Sequence, residues 1–445
     1  MPGQNRANCS EKPPVDVQLL QPLQCAETAG IAGTARWPLP FTVAQRRSLW
    51  QRRRVWVWGT SLMVLSWFVY VHTMMVPGYV DRAGRFKGSD YIYFYVMGSL
   101  IAEGRADALY EPDAHLAEGR RRIDAQLNLY APYSNYGPQV AAAFAPLSRL
   151  TFGRSLAVFL ILTALAYAAS VWLVWRLTPA LGPYGVLVGI LAAGSPAFFT
   201  LIRYAQLSGL SLLLLSLALV AFVRDRRFLA GVVIGLMVFK PPLGVVIGLV
   251  MILAGEWRVV AGAALAASAE LAAAWLVSGS TVMRQYANVL VTLARDPSLV
   301  QIYPGEVHSL RGFVHLLTGS PAVLSVVSIV AVVVAVWTGV RTWKSDVPLT
   351  MKWGALVVLT VLASPHLLTY DLILLTIPLL VFADWAVSRQ EHPLQPWVGR
   401  LLLLLYLAPF SSNLARLVPV QLSVVVMVAL VWMLIRGPGS VVRGP

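Results

Sequence analysis

Runs of apolar residues about as long as a bilayer is thick recur along almost the whole chain. A helix needs roughly 20 such residues to cross the hydrocarbon. Candidate spans fall at 55–76, 155–177, 184–201, 207–223, 228–239, 241–254, 258–277, 320–343, 353–364, 367–387, 398–410 and 418–436, about twelve in all. Several are shorter than about 17 residues and must be tilted, broken or sheltered inside a bundle. Lys240-Pro241-Pro242 divides one long apolar run into two, because a proline pair ends a helix. The expectation is an all-α integral membrane bundle.

Composition supports this and excludes a competing reading. Only 12% of residues are charged and 58% are hydrophobic, against roughly 25% charged in soluble proteins. The net charge of +15 would suggest nucleic acid in a soluble chain. Here the apolar majority assigns the basic residues to cytoplasmic loops and anionic headgroups instead. The two cysteines, Cys9 and Cys25, lie in a polar N-terminal tail and form no disulfide or metal framework. The expected division is a disordered cytoplasmic tail over 1–54 and a membrane domain over 55–445. The first apolar run begins only near Val55, so it reads as a span and not as a cleaved leader.

Arg46, Arg47, Arg52, Arg53 and Arg54 precede the first span and predict a cytoplasmic N-terminus. Twelve alternating spans then place Arg224, Arg226, Arg227, Arg258, Arg341, Lys344, Lys352, Arg389 and Arg400 inside. A long first outer loop, about 77–154, also carries arginines, but long loops translocate largely regardless of charge. Within it, Tyr91, Phe94, Tyr95, Gly98 and Ile101 recur at spacings of three and four, which predicts an interfacial helix from Ser89 to about Glu103. A second outer loop is expected from Gly279 to about Gly319.

On that topology Asp90, Arg203, Gln206, Lys240, His308, Arg311, His366, Asp371 and Arg416 sort to the outer face. Ionisable groups at membrane depth are costly and usually functional. A basic pocket containing a carboxylate suits a phosphate headgroup and a general base. Each residue also has a plainer reading. Asp90 follows Ser89 at a helix start, where it complements the dipole. Lys240 snorkels to the interface. His366 caps the next helix, and Asp371 pairs with Lys240 or Arg203. The stretch 130–138, YAPYSNYGP, is an aromatic-anchored loop. No motif has metal-ligand spacing, and there is no Walker A, GxSxG, HExxH or GxGxxG pattern.

The order of these features resembles glycosyltransferase family 87. GSDYIYFYVMGSLIAEGRADALY (88–110) is similar to its opening aspartate and aromatic helix, and NYGPQVAAAFAPL (135–147) to its YPP stretch. RYAQLSGLSLLLL (203–215), FLAGVVIGLMVFKPP (228–242), HSLRGFVHLL (308–317) and SPHLLTYDLILL (364–375) follow in the family's order. Gly137 stands where a proline is usual, Ala205 replaces a glycine, and Tyr370-Asp371 reverses the commoner order. The resemblance implies a GT-C type bundle of about twelve spans with a long first outer loop. It implies a polyprenyl-phosphate-linked sugar donor, typically mannose, with a glycolipid, glycan or protein acceptor. It also implies inverting, metal-independent transfer with no cofactor, at the outward face of the plasma membrane. Asp90 would be the general base. Lys240, Arg311 and His366, with Arg203, Gln206, His308 and Asp371, would contact donor phosphate or sugar. A polytopic transporter or lipid-linked sugar flippase shares the spans and polar groups. An inverted repeat between halves would favour it, and none is visible. A non-catalytic scaffold leaves the outward polar cluster without a purpose.

Overall fold

The computed structural model describes residues 43–129, 134–296, 299 and 304–436. The tail expected over 1–54 therefore lies outside the described residues as far as Thr42, as do 130–133 of the aromatic loop. The chain divides into two units, Met1–Arg53 and Arg54–Pro445, and the side-chain contacts below all belong to the second. Among the described residues the regular structure is helical, with two isolated bridges, Val80 with Phe86 and Val307 with Leu368.

In chain order the helices are α1 (Val43–Met74), α2 (Tyr91–Ala102), α3 (Pro112–Arg122), α4 (Pro138–Phe144), α5 (Phe152–Trp175), α6 (Gly185–Ala193), α7 (Pro196–Tyr204), α8 (Ser208–Val223) and α9 (Arg227–Gly235). They continue as α10 (Pro241–Ala254), α11 (Trp257–Arg295), α12 (Leu310–Leu317), α13 (Pro321–Trp343), α14 (Leu349–Ala363), α15 (Thr376–Ser388), α16 (Gln395–Tyr406), α17 (Ser411–Leu414) and α18 (Leu422–Arg436). Five are long and apolar enough to cross a membrane: Arg53–Met74, Phe152–Trp175, Trp257–Arg295, Pro321–Trp343 and Thr369–Ser388. The number rises to seven if the bent pairs Pro179–Ala193 with Pro196–Tyr204 and Gln395–Tyr406 with Ala408–Leu414 each count as one. The chain is a multi-pass membrane protein.

The expected count of about twelve is not reproduced, for a reason of length. Helix α8 has 16 residues and α14 has 15. At 1.5 Å per residue they reach about 24 Å or less, short of the roughly 30 Å hydrocarbon. Helices α9 and α10 meet at Lys240 through a 3-10 turn, Leu236–Phe239, as the proline pair requires. The bundle shelters these short pieces: Leu349–Ala363 is buried from Trp353 to its end.

Helix α2 departs from the interfacial reading. Tyr91 through Leu100 are all buried, so no face is laid on headgroups. YIYFYVMGSL is apolar all round, and such a helix belongs in a core. Tyr91 stacks on Phe159 at 4.8 Å and its hydroxyl shares a 2.6 Å hydrogen bond with Ser155. Tyr95 donates to the Leu150 carbonyl at 2.8 Å. The loop that follows is clamped by charge. Glu118, almost wholly buried, accepts from Ser99 at 3.0 Å, Arg105 at 3.1 Å and Arg122 at 2.6 Å, and Arg122 also donates to the Ser148 carbonyl at 3.1 Å.

Helices α9 and α11 lie against each other with almost no space between backbones. A methyl group at Gly231 would meet the Val259 carbonyl oxygen at 2.0 Å, and one at Gly262 the Phe228 oxygen at 2.2 Å. Small residues permit such approach in membranes, where packing replaces the hydrophobic drive. Helix α11 is broken at Gly279 (φ 79°, ψ 169°), a conformation only glycine visits at low cost. Residues beyond Gly279, expected as loop, continue as helix to Arg295.

Candidate active site

Two chain breaks build the site. Helix α7 ends at Ala205, held in the left-handed region (φ 55°, ψ 61°), which turns the chain sharply into α8 and leaves Gln206 at the turn. Asp90 precedes α2, and its N–H donates to the Tyr204 carbonyl at 3.1 Å, so the aspartate is fastened to the same turn.

Gln206 is the hub. Its Oε1 accepts from the Tyr136 hydroxyl at 2.8 Å and from the Leu207 N–H at 2.8 Å. Two donors on one atom fix which end of the amide is oxygen. Its Nε2 therefore donates, to Asp90 Oδ2 at 2.8 Å and to the Tyr370 hydroxyl at 3.3 Å. Ser89 Oγ donates to Asp90 Oδ1 at 3.3 Å. Asp90 is thus oriented through a hydrogen-bonded relay, and it makes no side-chain cap to its own helix.

The next residue along from Tyr370 faces the other way. Asp371, 1% exposed, bonds to Lys240 Nζ and to the Ser208 hydroxyl through Oδ1, and accepts from the Leu368 N–H at 3.2 Å through Oδ2. Lys240 Nζ also donates to Ser208 Oγ at 3.1 Å and lies 5.5 Å from the Tyr370 ring centre. The lysine is therefore no lone snorkelling cation. It is one half of a buried ion pair, and the pairing with Asp371 left open by the sequence is made.

His366 lies on the link between α14 and the 3-10 turn Thr369–Leu375. Burial pushes its imidazole down to about 4; the Asp371 charge opposes this, and Lys240 and Arg311 add to it. Asp371, Lys240 and Arg311 are thus all within electrostatic reach of His366. Arg311 opens α12, whose start is capped by Ser309 accepting from the Gly312 N–H at 3.3 Å. Tyr136 feels the charges of both Asp90 and Asp371, which joins the two halves of the site.

His308 has a different placement. It is 0% exposed. Nδ1 shares a 2.7 Å hydrogen bond with Ser423, and Nε2 meets Thr369 at 3.1 Å and Ser412 at 2.9 Å. Its N–H donates to the Leu367 carbonyl at 2.8 Å. Both ring nitrogens are engaged with protein hydroxyls, so His308 pins the segment before α12 to the 3-10 turn and to α17 and α18. Arg203 sits half-buried in the last turn of α7. Arg416 makes a surface pair with Glu306 at 3.1 Å, of the kind that contributes little.

Sequence reasoning passed over Tyr136, Ser208, Tyr370 and Glu306. The first three adjoin flagged residues in the same motifs. Glu306 carries no such signal; it receives the Tyr204 hydroxyl at 3.4 Å. Among the described residues no group of three or more His, Cys, Asp or Glu is placed to hold a metal ion.

A model of glycosyltransferase family 87 matches residues 134–365, a little over half of the chain. That segment holds Tyr136, Gln206, Ser208, Lys240 and Arg311, while Asp90, His366 and Asp371 lie outside it. No curated protein and no solved structure matches the chain.

Proposed function

The chain belongs to glycosyltransferase family 87, and on that premise we propose that this membrane glycosyltransferase moves a hexose, mannose in the first instance, from a polyprenyl-phosphate carrier to an acceptor hydroxyl at the outward face of the plasma membrane, with inversion and without a metal. The observation that carries the reading is the single network joining Asp90, through Gln206 and Tyr370, to the turn bearing Asp371, whose carboxylate binds Lys240 from the break between α9 and α10.

In the proposed displacement Asp90 takes the proton of the acceptor hydroxyl as its oxygen attacks the anomeric carbon. The bond from that carbon to the carrier phosphate breaks, and the phosphate monoester departs with the electron pair. Gln206 and Ser89 support this role by each orienting one oxygen of the carboxylate. An oriented base within hydrogen-bond reach is the geometric requirement for general base catalysis.

Charge gathers on the leaving phosphate. An ammonium has three donors, of which Asp371 and Ser208 take two. The third remains for a phosphate oxygen. Arg311 adds a second cation within electrostatic reach of His366. Preorganised donors in a low-dielectric site stabilise developing charge, and losing one costs about 10²–10³ in rate in comparable sites. Asp371 acts as counter-ion and guide for Lys240, not as a sugar contact, and His308 as a positioning residue.

The test is incubation of the purified full chain with a labelled polyprenyl-phosphate hexose and a membrane lipid and glycan extract. Transfer that vanishes in Asp90→Asn, with unfolding behaviour unchanged, supports the mechanism. Transport of the carrier with no covalent transfer would assign the chain to flipping instead. Retained transfer in Asp90→Asn removes that carboxylate from the chemistry.

A further inference from the structure

The polar network at Asp90 continues past Tyr136, toward groups that the mechanism does not use. The Tyr110 hydroxyl donates to the Tyr136 carbonyl at 3.0 Å. The Tyr110 ring stacks on Tyr286 with centroids 5.8 Å apart and planes 23° from parallel. Tyr286 belongs to the part of α11 beyond Gly279, and the adjacent Gln285 donates to the Asp107 carbonyl at 3.2 Å.

The part of α11 before Gly279 carries Glu270, the one acidic residue of that helix, in the alanine-rich stretch AGAALAASAELAAA. In a straight helix Glu270 and Tyr286 would stand about 24 Å apart at 1.5 Å per residue. The break at Gly279 shortens that distance, and the Glu270 carboxylate bears electrostatically on the Tyr286 hydroxyl. Among the described residues no hydrogen bond or ion pair reaches Glu270. An ionisable group held inside a span without a partner is a functional candidate by its cost alone.

A second unsatisfied group lies three residues on from Tyr136. Helix α4 packs on α11. At its start Gln139 folds back over Gly137, so closely that a methyl group there would meet Oε1 at 2.2 Å. Both polar atoms of its amide are buried without a partner, and so is Oε1 of Gln285. Buried polar groups are rarely left unsatisfied unless something outside the protein completes them.

We propose that Gln139, Glu270 and Tyr286 line a subsite for a neutral, hydroxyl-rich glycan, the acceptor end of the transferase site; the assignment rests on the transferase reading above. The chemistry selects the ligand. A carboxylate accepts from hydroxyls, an amide both donates and accepts, and a sugar presents adjacent hydroxyls that do both. The Tyr286 hydroxyl both donates and accepts, as a sugar hydroxyl does. None of these groups is a cation, so a phosphate is not what they suit. Tyr136, at the junction with Gln206 and Asp90, sets the bound glycan beside the base.

The experiment uses the full chain in nanodiscs and two probes. Saturation-transfer NMR follows methyl α-D-mannopyranoside and methyl α-D-glucopyranoside, and dodecyl phosphate reports the carrier side. The wild type binds at least one hexoside. Glu270→Ala and Gln139→Ala raise its Kd at least tenfold, and both leave dodecyl phosphate binding unchanged. Glu270→Gln, which keeps the shape and hydrogen-bonding capacity, guards against a folding defect and weakens the hexoside less than the alanine variant. Absence of transfer to both hexosides in the wild type overturns the subsite, as does an unchanged Kd in the alanine variants. Hexoside binding without any dodecyl phosphate binding overturns the carrier reading and leaves the subsite standing.

Discussion

Replacing Lys240 by Met strands a carboxylate. Asp371 is 1% exposed on its side chain and Lys240 10%, so water does not reach in to compensate. Removing one partner of such a pair costs about 3–5 kcal/mol, because the other charge is left buried. The two single changes are not equivalent. In Lys240→Met the carboxylate keeps the Ser208 hydroxyl and the Leu368 N–H, which places the loss near 3 kcal/mol on that range. In Asp371→Leu the ammonium keeps only Ser208 and the Tyr370 face, which places it near 5 kcal/mol on the same range. The double replacement buries no charge, and apolar substitutes for a buried pair are often neutral. Equilibrium unfolding in mixed micelles measures all four proteins. With single losses of about 3 and about 5 kcal/mol and a double loss near zero, the expected coupling is about 8 kcal/mol, well above the few tenths found for independent sites. Additive single losses would refute the pair as a buried charge system. Transfer should be absent in all three variants, including the stable double one. A double variant that still transfers would show that Lys240 matters for folding alone.

Chelation with EDTA should leave transfer intact, and strict dependence on a divalent ion would require a different stabiliser for the leaving phosphate. Acid should destabilise the fold through His308, whose imidazole is pushed down to about 3 by burial. Its unfolded pKa is near 6.5. Between those values the unfolded chain binds the extra proton, so stability falls as pH drops, by up to about 1.4 kcal/mol per unit, and is level above pH 7. His308→Gln should flatten that slope in a pH series of unfolding curves. Gly98→Ala should destabilise by about 1–3 kcal/mol through overpacking, because the new methyl would lie 2.7 Å from the Phe144 carbonyl. An unchanged unfolding midpoint would mean that α2 and α4 separate freely.

The spans were legible because hydropathy and length act locally. Segments expected at 155–177 and 320–343 are α5 and α13 within a few residues, and the proline pair does end a helix at Lys240. Their number was not legible, since a 14-residue apolar run reads alike whether it crosses lipid or hides in a bundle. The reading of α2 failed for a related cause. Its stripe at three and four was real, but the residues between were apolar too, and only packing partners reveal a helix enclosed on all sides. At the site, Asp90, Gln206, Lys240 and Asp371 stood out because polar groups are rare in this chain. Their wiring did not stand out. Gln206 meets Asp90 across 116 positions, a separation no local pattern encodes. Glu270 was overlooked because it sits alone among alanines, away from every motif.

The bare-backbone seam between α9 and α11 bears on how this protein will survive extraction. Lipid tails and detergent tails are equally greasy, so neither solvent pushes two apolar helices together. What keeps these two joined is contact between atoms already touching, and that attraction does not depend on the surrounding medium. The seam should therefore persist in micelles that loosen longer-range parts of the bundle. Any residue larger than glycine at position 231 would wedge it open like a stone in a zip.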